Sequence, residues 1–337
     1  MFGARKISYA GRLTLVKSVL TSLYSYWANI FLIPKGVLKK INSICHNYLW
    51  DGTSAYVSVP LVGWEQVCTP KAEGGLGLRY SLHWNIATMG KLVWWIYSKP
   101  DSLWVKWVHQ IYLRGSSWPT HLPKAHMSSN WKAICRTRDL LTNGYINGVW
   151  LADQKGYNVK SGYEWIRPKE PKVGWAKLVW NNWALPKHCF LNWLILRNAL
   201  NTKERLYKIG VSSDELFCIC CADKETISHL FQHCRYVTEI MSMICLWLGI
   251  PLPQGNGLVW LGRRNWSPVQ KTVCIAVFMC AYYAIWQQRN AARIEGVILR
   301  PALLISQCKT LMKIRLMSQL RRAKKLSDRE WIQHILM

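Results

Sequence analysis

The sequence has 337 residues, of which 44 are Lys or Arg and 17 are Asp or Glu, so its formal net charge is +27. Half of the residues are hydrophobic and 12% are aromatic, which excludes a wholly disordered chain and suffices for two or three packed units. A charge imbalance of this size favours a polyanionic partner, and nucleic acid is the usual one. The alternative is a poorly soluble or degenerate protein without a selected partner.

Helical spacing of apolar residues dominates the first third of the chain. Residues 4–30 predict an amphipathic helix, and residues 36–50 predict a second one that ends at Asp51-Gly52. Residues 57–64 predict a short strand or an extended arm, and residues 70–77 a glycine-rich turn. Helical spacing returns over residues 81–112. The predicted fold class is therefore mainly α.

The rest of the chain begins with an irregular stretch, residues 113–150, which is the best candidate for a domain boundary. Ser161 is a plausible cap for the first helix within residues 157–182. Further helices are predicted at residues 190–200, 201–210, 237–248, 267–294 and 301–325. The last of these carries many basic residues, which suit a phosphate backbone, a membrane surface or simply solvent.

Two uncharged runs, Ser18–Pro34 and Thr272–Gln288, approach the length that spans a membrane. The first contains several hydroxyl and amide side chains, and the second ends in Gln287 and Gln288. Both are therefore predicted to be buried core helices, and no membrane partner is expected. The twelve cysteines are scattered outside one cluster and no secretory signal precedes them, so we expect reduced thiols inside the cell.

The cysteine cluster has the spacing of a metal site. Cys218 and Cys221 form a C-x2-C pair, and His229 and Cys234 follow in an H-x4-C spacing. Three thiolates and one imidazole match a closed tetrahedral Zn²⁺ site, which stabilises a fold and leaves no position for a reactive water.

A competing assignment uses Cys220 or His233 in place of one of these ligands. Cys218 and Cys220, with one residue between them, form a less common chelate, and His233 would point away from its neighbour Cys234 on a helix. The remaining alternative is a buried cluster of cysteine and histidine without a metal.

The chain shows no constellation typical of a catalytic centre. Two-metal polymerases and nucleases need converging carboxylates, whereas the 17 acidic residues are dispersed and no Asp-Asp pair occurs. A nucleophile elbow and a P-loop are also missing from the sequence.

Several separate blocks resemble one known family, the reverse transcriptases of plant LINE-type, non-LTR retrotransposons. Residues 9–50 resemble the segment after the polymerase palm, and residues 62–96 resemble the next block. Residues 175–211, with the following CICC and ETISHLFQHC motifs, are similar to the reverse-transcriptase zinc-binding domain. AIWQQRNAARI at residues 284–294 resembles a block near the end of that region.

The resemblance implies a nucleic-acid-associated region of an element-encoded polyprotein. It assigns Cys218, Cys221, His229 and Cys234 the role of zinc ligands. The Tyr-x-Asp-Asp palm carboxylates and the acidic residues of ribonuclease H are missing from the sequence, so polymerase activity is not carried over and no enzyme is expected.

These observations predict four regions: a post-palm helical region (1–115), an irregular linker (116–156), the zinc-binding domain (157–250) and basic C-terminal helices (251–337). The expected function is non-specific, electrostatic binding of RNA or DNA by a zinc-stabilised module, located in the nucleus rather than the cytoplasm. The sequence names no protein partner. The rival interpretations are a polymerase fragment that needs a separate palm and an inert pseudogene product.

Overall fold

The computed structural model describes residues 7–55, 58–146, 156–253 and 255–336. Within these ranges every regular element is a helix, and one isolated antiparallel bridge joins Leu216 to Lys224. The predicted mainly α fold class is thus confirmed. The chain divides into two compact units, here called unit 1 (Met1–Lys172) and unit 2 (Val173–Met337).

Unit 1 contains eight α-helices among its described residues. They are α1 (Tyr9–Leu15), α2 (Thr21–Ala28), α3 (Lys35–Asp51), α4 (Trp64–Cys68), α5 (Ser81–Ser98), α6 (Leu103–Val108), α7 (Ser129–Ile146) and α8 (Val159–Ile166). A π-helical turn, Val16–Leu20, joins α1 to α2, so the predicted N-terminal helix is nearly continuous. Gly52 adopts a left-handed conformation and ends α3, as its sequence predicts.

The core of unit 1 forms around α5, which packs against both α7 and α8. Its largest buried side chains are aromatic and include Trp118, Trp131 and Tyr157. The Tyr157 hydroxyl donates a hydrogen bond to the carbonyl oxygen of Ala87 on α5. A Cβ atom at Gly90 or Gly162 would collide with this ring, so glycine at both positions lets α5 and α8 close around it.

The irregular linker predicted at residues 116–156 is wrong over residues 129–146, which form the 18-residue helix α7. Trp131, Ile134 and Leu141 are buried at helical spacing, but the charged residues between them weaken the apolar pattern. One of these, Arg138, is itself buried and donates to the carbonyl oxygens of Trp118 and His121. Residues 147–155 of the predicted linker lie outside the described residues.

Two other local predictions concern residues 57–64 and the start of α8. Residues 58–63 form no strand, so the strand alternative at 57–64 is wrong and the extended arm stays a prediction, while Val57 lies outside the described residues. The cap of α8 is Asn158 rather than Ser161, because the Asn158 side chain accepts from the Ser161 amide in a capping box.

The described residues of unit 2 form eight further α-helices. They are α9 (Ala176–Val179), α10 (Pro186–Leu196), α11 (Lys203–Lys208), α12 (Arg235–Leu248), α13 (Gly257–Gly262), α14 (Pro268–Glu295), α15 (Pro301–Gln319) and α16 (Leu326–Leu336). Helix α14 is the central element, and α10, α12, α13 and α15 pack around it.

Local sequence explains both ends of α14. Ser267 caps the first turn in a capping box with Gln270, and Pro268 occupies the first turn, where its missing N–H costs nothing. Gly296 ends the helix in the left-handed conformation. A capping side chain of this kind stabilises a helix by about 1 kcal/mol.

Among the described residues, α14 is the one helix that is long and apolar enough to cross a membrane. Of its most apolar 18-residue window, 61% is buried inside the protein, which is typical of a core helix. The predicted core role of the Thr272–Gln288 run agrees with this burial. The Ser18–Pro34 run differs from its prediction, because Leu23, Tyr26 and Trp27 expose more than half of their surface.

Candidate metal centre

A tight turn after α11 carries the three neighbouring cysteines. The Phe217 amide donates to the carbonyl oxygen of Asp223 over 2.9 Å, and the Cys221 amide donates to that of Phe217 over 2.8 Å. Cys221 adopts a left-handed conformation, with φ of 53°. The backbone therefore reverses direction between Phe217 and Asp223, and the three cysteine side chains leave the turn in different directions.

A second short element positions the histidine and the fourth cysteine. Residues His229–His233 form one π-helical turn, and Cys234 is the cap residue that begins α12. The Cys234 amide donates to the carbonyl oxygen of His229 over 3.0 Å. The Thr226 hydroxyl accepts from the His229 amide over 3.0 Å, which fixes the start of the turn.

The turn and the π-helical element bring Cys220, His229 and Cys234 together, with their ligand atoms all within 4.8 Å of one another. The Cys220 Sγ atom lies 3.3 Å from the Nε2 atom of His229. Tetrahedral zinc, with Zn–S of about 2.3 Å and Zn–N of about 2.0 Å, separates such ligand atoms by about 3.6 Å. Two sulfurs and one imidazole nitrogen are donors that zinc prefers, so these residues fit the ion.

Of the four ligands named from sequence, the structure brings His229 and Cys234 together and places Cys220 beside them. Cys218 directs its Sγ toward the carbonyl oxygen of Arg289, at 3.6 Å. Cys221 is exposed, and its Sγ lies 3.8 Å from the carbonyl oxygen of Cys218. The ligand roles of Cys218 and Cys221 stay predictions.

Sequence spacing alone favoured the C-x2-C pair and left Cys220 as the competing choice. No spacing signal identifies Cys220, because its selection depends on the path of the backbone through the turn. The other competitor, His233, is exposed on the π-helical turn.

The surroundings of His229 suit a metal ligand. The Nδ1 atom lies 3.6 Å from an Asp223 carboxylate oxygen, leaving Nε2 to face Cys220. A carboxylate behind a ligating imidazole orients the ring and raises its basicity. The Phe217 ring packs edge-on against the imidazole, with centroids 5.6 Å apart, and is fully buried.

Cys234 is fully buried, and this burial raises the pKa of its thiol, while the backbone amides of Val237 and Tyr236 oppose the rise. A buried thiolate needs a compensating positive charge, and a coordinated metal ion deprotonates a thiol outright. The electrostatics of this position therefore favour either a neutral thiol or a metal-bound thiolate.

A buried ion pair anchors the loop beside the cluster. The Nε atom of Arg289 on α14 donates to both carboxylate oxygens of Glu225, over 2.9 and 3.0 Å. Glu225 Oε1 also accepts from the Lys203 amide at the start of α11, over 2.8 Å. Arg289 Nη2 donates to the carbonyl oxygen of Asn201 over 3.2 Å. One carboxylate thus ties the loop to α11 and α14.

This region matches the family described as zinc-binding in reverse transcriptase, over residues 157–240. The matched range contains Cys218, Cys220, Cys221, His229 and Cys234. Residues 157–240 are thus similar to that zinc-binding family, and the cluster of Cys220, His229 and Cys234 within them could hold a metal ion.

Two relatives come from Arabidopsis thaliana. A protein named as a ribonuclease H protein is 34% identical over 145 residues, which cover 42% of this chain and 23% of the relative. A protein named as a mitochondrial protein is 26% identical over 125 residues, covering 37% of this chain and 81% of the relative. The chain spans less than a quarter of the length of the first relative. No solved structure matches. Together with the zinc-binding domain, these relatives point to a protein derived from a retrotransposon.

Proposed function

We propose that this chain is a zinc-stabilised accessory module that binds RNA or DNA through charge, without regard to base sequence and without polymerase activity of its own. It is expected to act in the nucleus rather than the cytoplasm. Its origin would be a non-LTR element of the LINE type. The relative named as a ribonuclease H protein supports a role near nucleic acid in general.

For zinc, we propose Cys220, His229 and Cys234 as three ligands, supported by their convergence within 4.8 Å. The fourth ligand is expected from the same turn, where Cys218 and Cys221 flank Cys220. The ion would cross-link the turn to the start of α12 and so stabilise the loop. A closed site of this kind supplies no bound water for hydrolysis.

Metal analysis of the purified chain tests the zinc proposal, with about one Zn²⁺ per chain expected. Cys220→Ser should lose the ion, and whichever of Cys218→Ser and Cys221→Ser weakens binding identifies the fourth ligand. Cys45→Ser, which changes a buried cysteine of unit 1, is the matched control. Full zinc content in the Cys220→Ser protein would contradict the proposed ligand set.

One observation carries the nucleic-acid proposal: four exposed cations stand together where α15 meets α16. This basic turn consists of Arg321, Arg322, Lys324 and Lys325. None of them pairs with an acidic side chain within the described part of the chain. Unpaired surface cations are free to replace the counterions of a phosphate backbone, which is the source of sequence-independent affinity.

Fluorescence anisotropy with single-stranded RNA and DNA over a salt series tests this proposal. The triple variant Arg321→Gln, Arg322→Gln and Lys324→Gln should reduce the slope of log affinity against log salt by about 2. The control removes the same charge from three lysines that pair with acids, through Lys169→Gln, Lys208→Gln and Lys224→Gln. Equal slopes for both triple variants, or binding that ignores salt, would contradict the proposal.

The ribonuclease H name of one relative favours a second candidate, a portion of a larger element-encoded enzyme. In that case a separately supplied polymerase palm would restore primer extension to a mixture containing this chain. We expect neither primer extension nor RNA cleavage from the purified chain alone, and either activity would overturn the accessory-module proposal.

A further inference from the structure

A surface pocket of about 380 Å³ lies in unit 2, away from the cysteine loop in sequence. Its lining consists of Asn256, Val259, Trp260, Arg263 and Arg264. Ligand pockets in proteins run from about 300 to 1,000 Å³, so this volume suits one small group. The site therefore has room for a single nucleotide and not for a duplex.

An aromatic and cationic stack forms one side of the pocket. The guanidinium carbon of Arg264 lies 3.8 Å from the centroid of the Trp260 ring. The Trp266 ring packs edge-on against Trp260, with centroids 6.2 Å apart. Helix α13 is held by the Asn256 side chain, which accepts from the Leu258 and Val259 amides. These contacts hold the Trp260 indole and the Arg264 guanidinium, two planar groups, in place at the pocket.

The polar groups of the pocket favour an anion. Among the described residues the buried Arg264 Nε atom has no hydrogen-bond partner, whereas Arg263 is exposed. The described residues that line the pocket include no carboxylate. A buried donor without a hydrogen-bond partner costs free energy. The N–H groups of a guanidinium match the geometry of phosphate oxygens.

We propose that this pocket binds one nucleotide of a single-stranded RNA or DNA. A phosphate oxygen accepts hydrogen bonds from Arg263 and Arg264, and the base stacks on the surface that Trp260 and Arg264 form. Bases in single strands are free to stack on aromatic rings and on arginine planes, whereas bases in a duplex are not. The inference rests on the proposed nucleic-acid binding and names a site for it.

Photocrosslinking of the full chain to a single-stranded oligonucleotide containing 5-iodouracil tests the location. Mass spectrometry should identify the crosslinked peptide as the one that contains Trp260. Arg264→Gln should reduce the yield of this crosslink by about tenfold, which corresponds to the loss of one stacking contact. The charge-matched control, Arg300→Gln, changes an exposed arginine outside the pocket and should leave that yield unchanged.

A second measurement separates the base from the phosphate. In protein labelled with 5-fluorotryptophan, Trp260→Phe identifies the fluorine signal of Trp260. Uridine monophosphate should shift that signal, and uridine or inorganic phosphate alone should shift it much less. An equal shift with inorganic phosphate would reduce the pocket to a simple anion site and overturn the nucleotide proposal.

The outcomes also separate this inference from the proposed function. If the wild-type chain binds no oligonucleotide, the proposed function and the pocket inference are both overturned. If it binds with the expected salt dependence but crosslinks elsewhere, and Trp260→Ala leaves affinity unchanged, only the pocket inference is overturned. Thermal unfolding of each variant verifies that the fold is kept, and Trp260→Phe should retain most of the affinity because phenylalanine still stacks.

Discussion

Each of the two units uses an arginine–glutamate pair to hold an irregular loop, but the pairs are built differently. In unit 1, Glu73 accepts from the Nη1 and Nη2 atoms of Arg167, each over 2.6 Å, and from the Glu170 amide over 3.1 Å. Arg167 keeps a second acid, Glu164, at 2.7 Å. In unit 2, Glu225 is the one acid that pairs with Arg289, among the described residues.

The two loops, residues 69–80 of unit 1 and residues 217–234 of unit 2, also differ in the contacts that hold their backbones. In unit 1, Gly75 packs so closely on Thr69 that any Cβ atom would collide with the backbone, so the loop is held by local contacts as well as by the ion pair. In unit 2, the loop has two antiparallel bridge residues and a cluster of potential metal ligands. The unit 1 loop is therefore held by backbone packing as well as by its ion pair. The unit 2 loop is held by a buried ion pair and, in our proposal, by a zinc ion.

Removal of zinc should have the largest effect on this comparison. Chelation is expected to lower the free energy of unfolding of residues 217–234 by several kcal/mol, because the binding free energy at a structural zinc site contributes to folding. Hydrogen exchange should then accelerate in these residues while residues 69–80 of unit 1 remain protected. Equal acceleration in both loops, or none in either, would remove the proposed distinction.

Glu225→Gln is expected to destabilise unit 2 by about 3–5 kcal/mol, because it leaves the buried Arg289 charge uncompensated. Both side chains of the pair expose 3% or less of their surface. Urea denaturation, followed by hydrogen exchange in unit 2, measures the change. A shift below about 1 kcal/mol, the range of surface pairs, would show that the pair does not anchor the loop.

His188 on α10 gives unit 2 a pH dependence of its own. Burial lowers the pKa of His188 to about 3, and within the described part of the chain neither ring nitrogen has a hydrogen-bond partner. At pH values between about 3 and the unfolded pKa of about 6.5, His188 binds a proton in the unfolded chain but not in the folded chain. The free energy of unfolding therefore falls as the pH falls through this range.

At pH 5 the loss attributable to His188 is about 2 kcal/mol relative to pH 8. His188→Leu should abolish this part of the loss and stabilise unit 2 at both pH values, because it removes an unpaired buried polar group. Urea midpoints at pH 5 and pH 8 for the variant and the wild type provide the measurement. An unchanged pH dependence in the variant would show that His188 titrates normally.

Glu73→Gln should have the smallest effect, about 1–2 kcal/mol on unit 1, because Arg167 retains Glu164 as a charged partner. Hydrogen bonds from Arg167 hold the pKa of Glu73 below its usual range. The stabilisation is therefore present above the ordinary glutamate pKa and is lost as the pH falls through the folded value. If Glu73→Gln lowers the stability of unit 1 as much as Glu225→Gln lowers that of unit 2, Glu164 does not compensate the charge of Arg167.

Helices with a strong apolar period could be predicted from sequence, and α3, α5, α14 and α15 lie close to where the pattern placed them. Helix α7 was missed because Arg138, a residue that sequence places on the surface, is buried against two carbonyl oxygens. A guanidinium with enough local acceptors satisfies the requirement that buried polar groups be hydrogen-bonded, and no periodic pattern records such acceptors.

Three properties follow from the amino-acid sequence alone: the mainly α class, the excess of positive charge and the segment that carries the cysteine and histidine cluster. Those properties depend on composition and on spacing along the chain, which the sequence contains in full. By contrast, the folded structure was needed to show that Cys220 faces His229 and Cys234, and that Glu225 pairs with Arg289. Three cysteines within four positions are nearly equivalent in spacing, so the left-handed backbone at Cys221 and the π-helical turn at His229 determine which sulfur atoms converge.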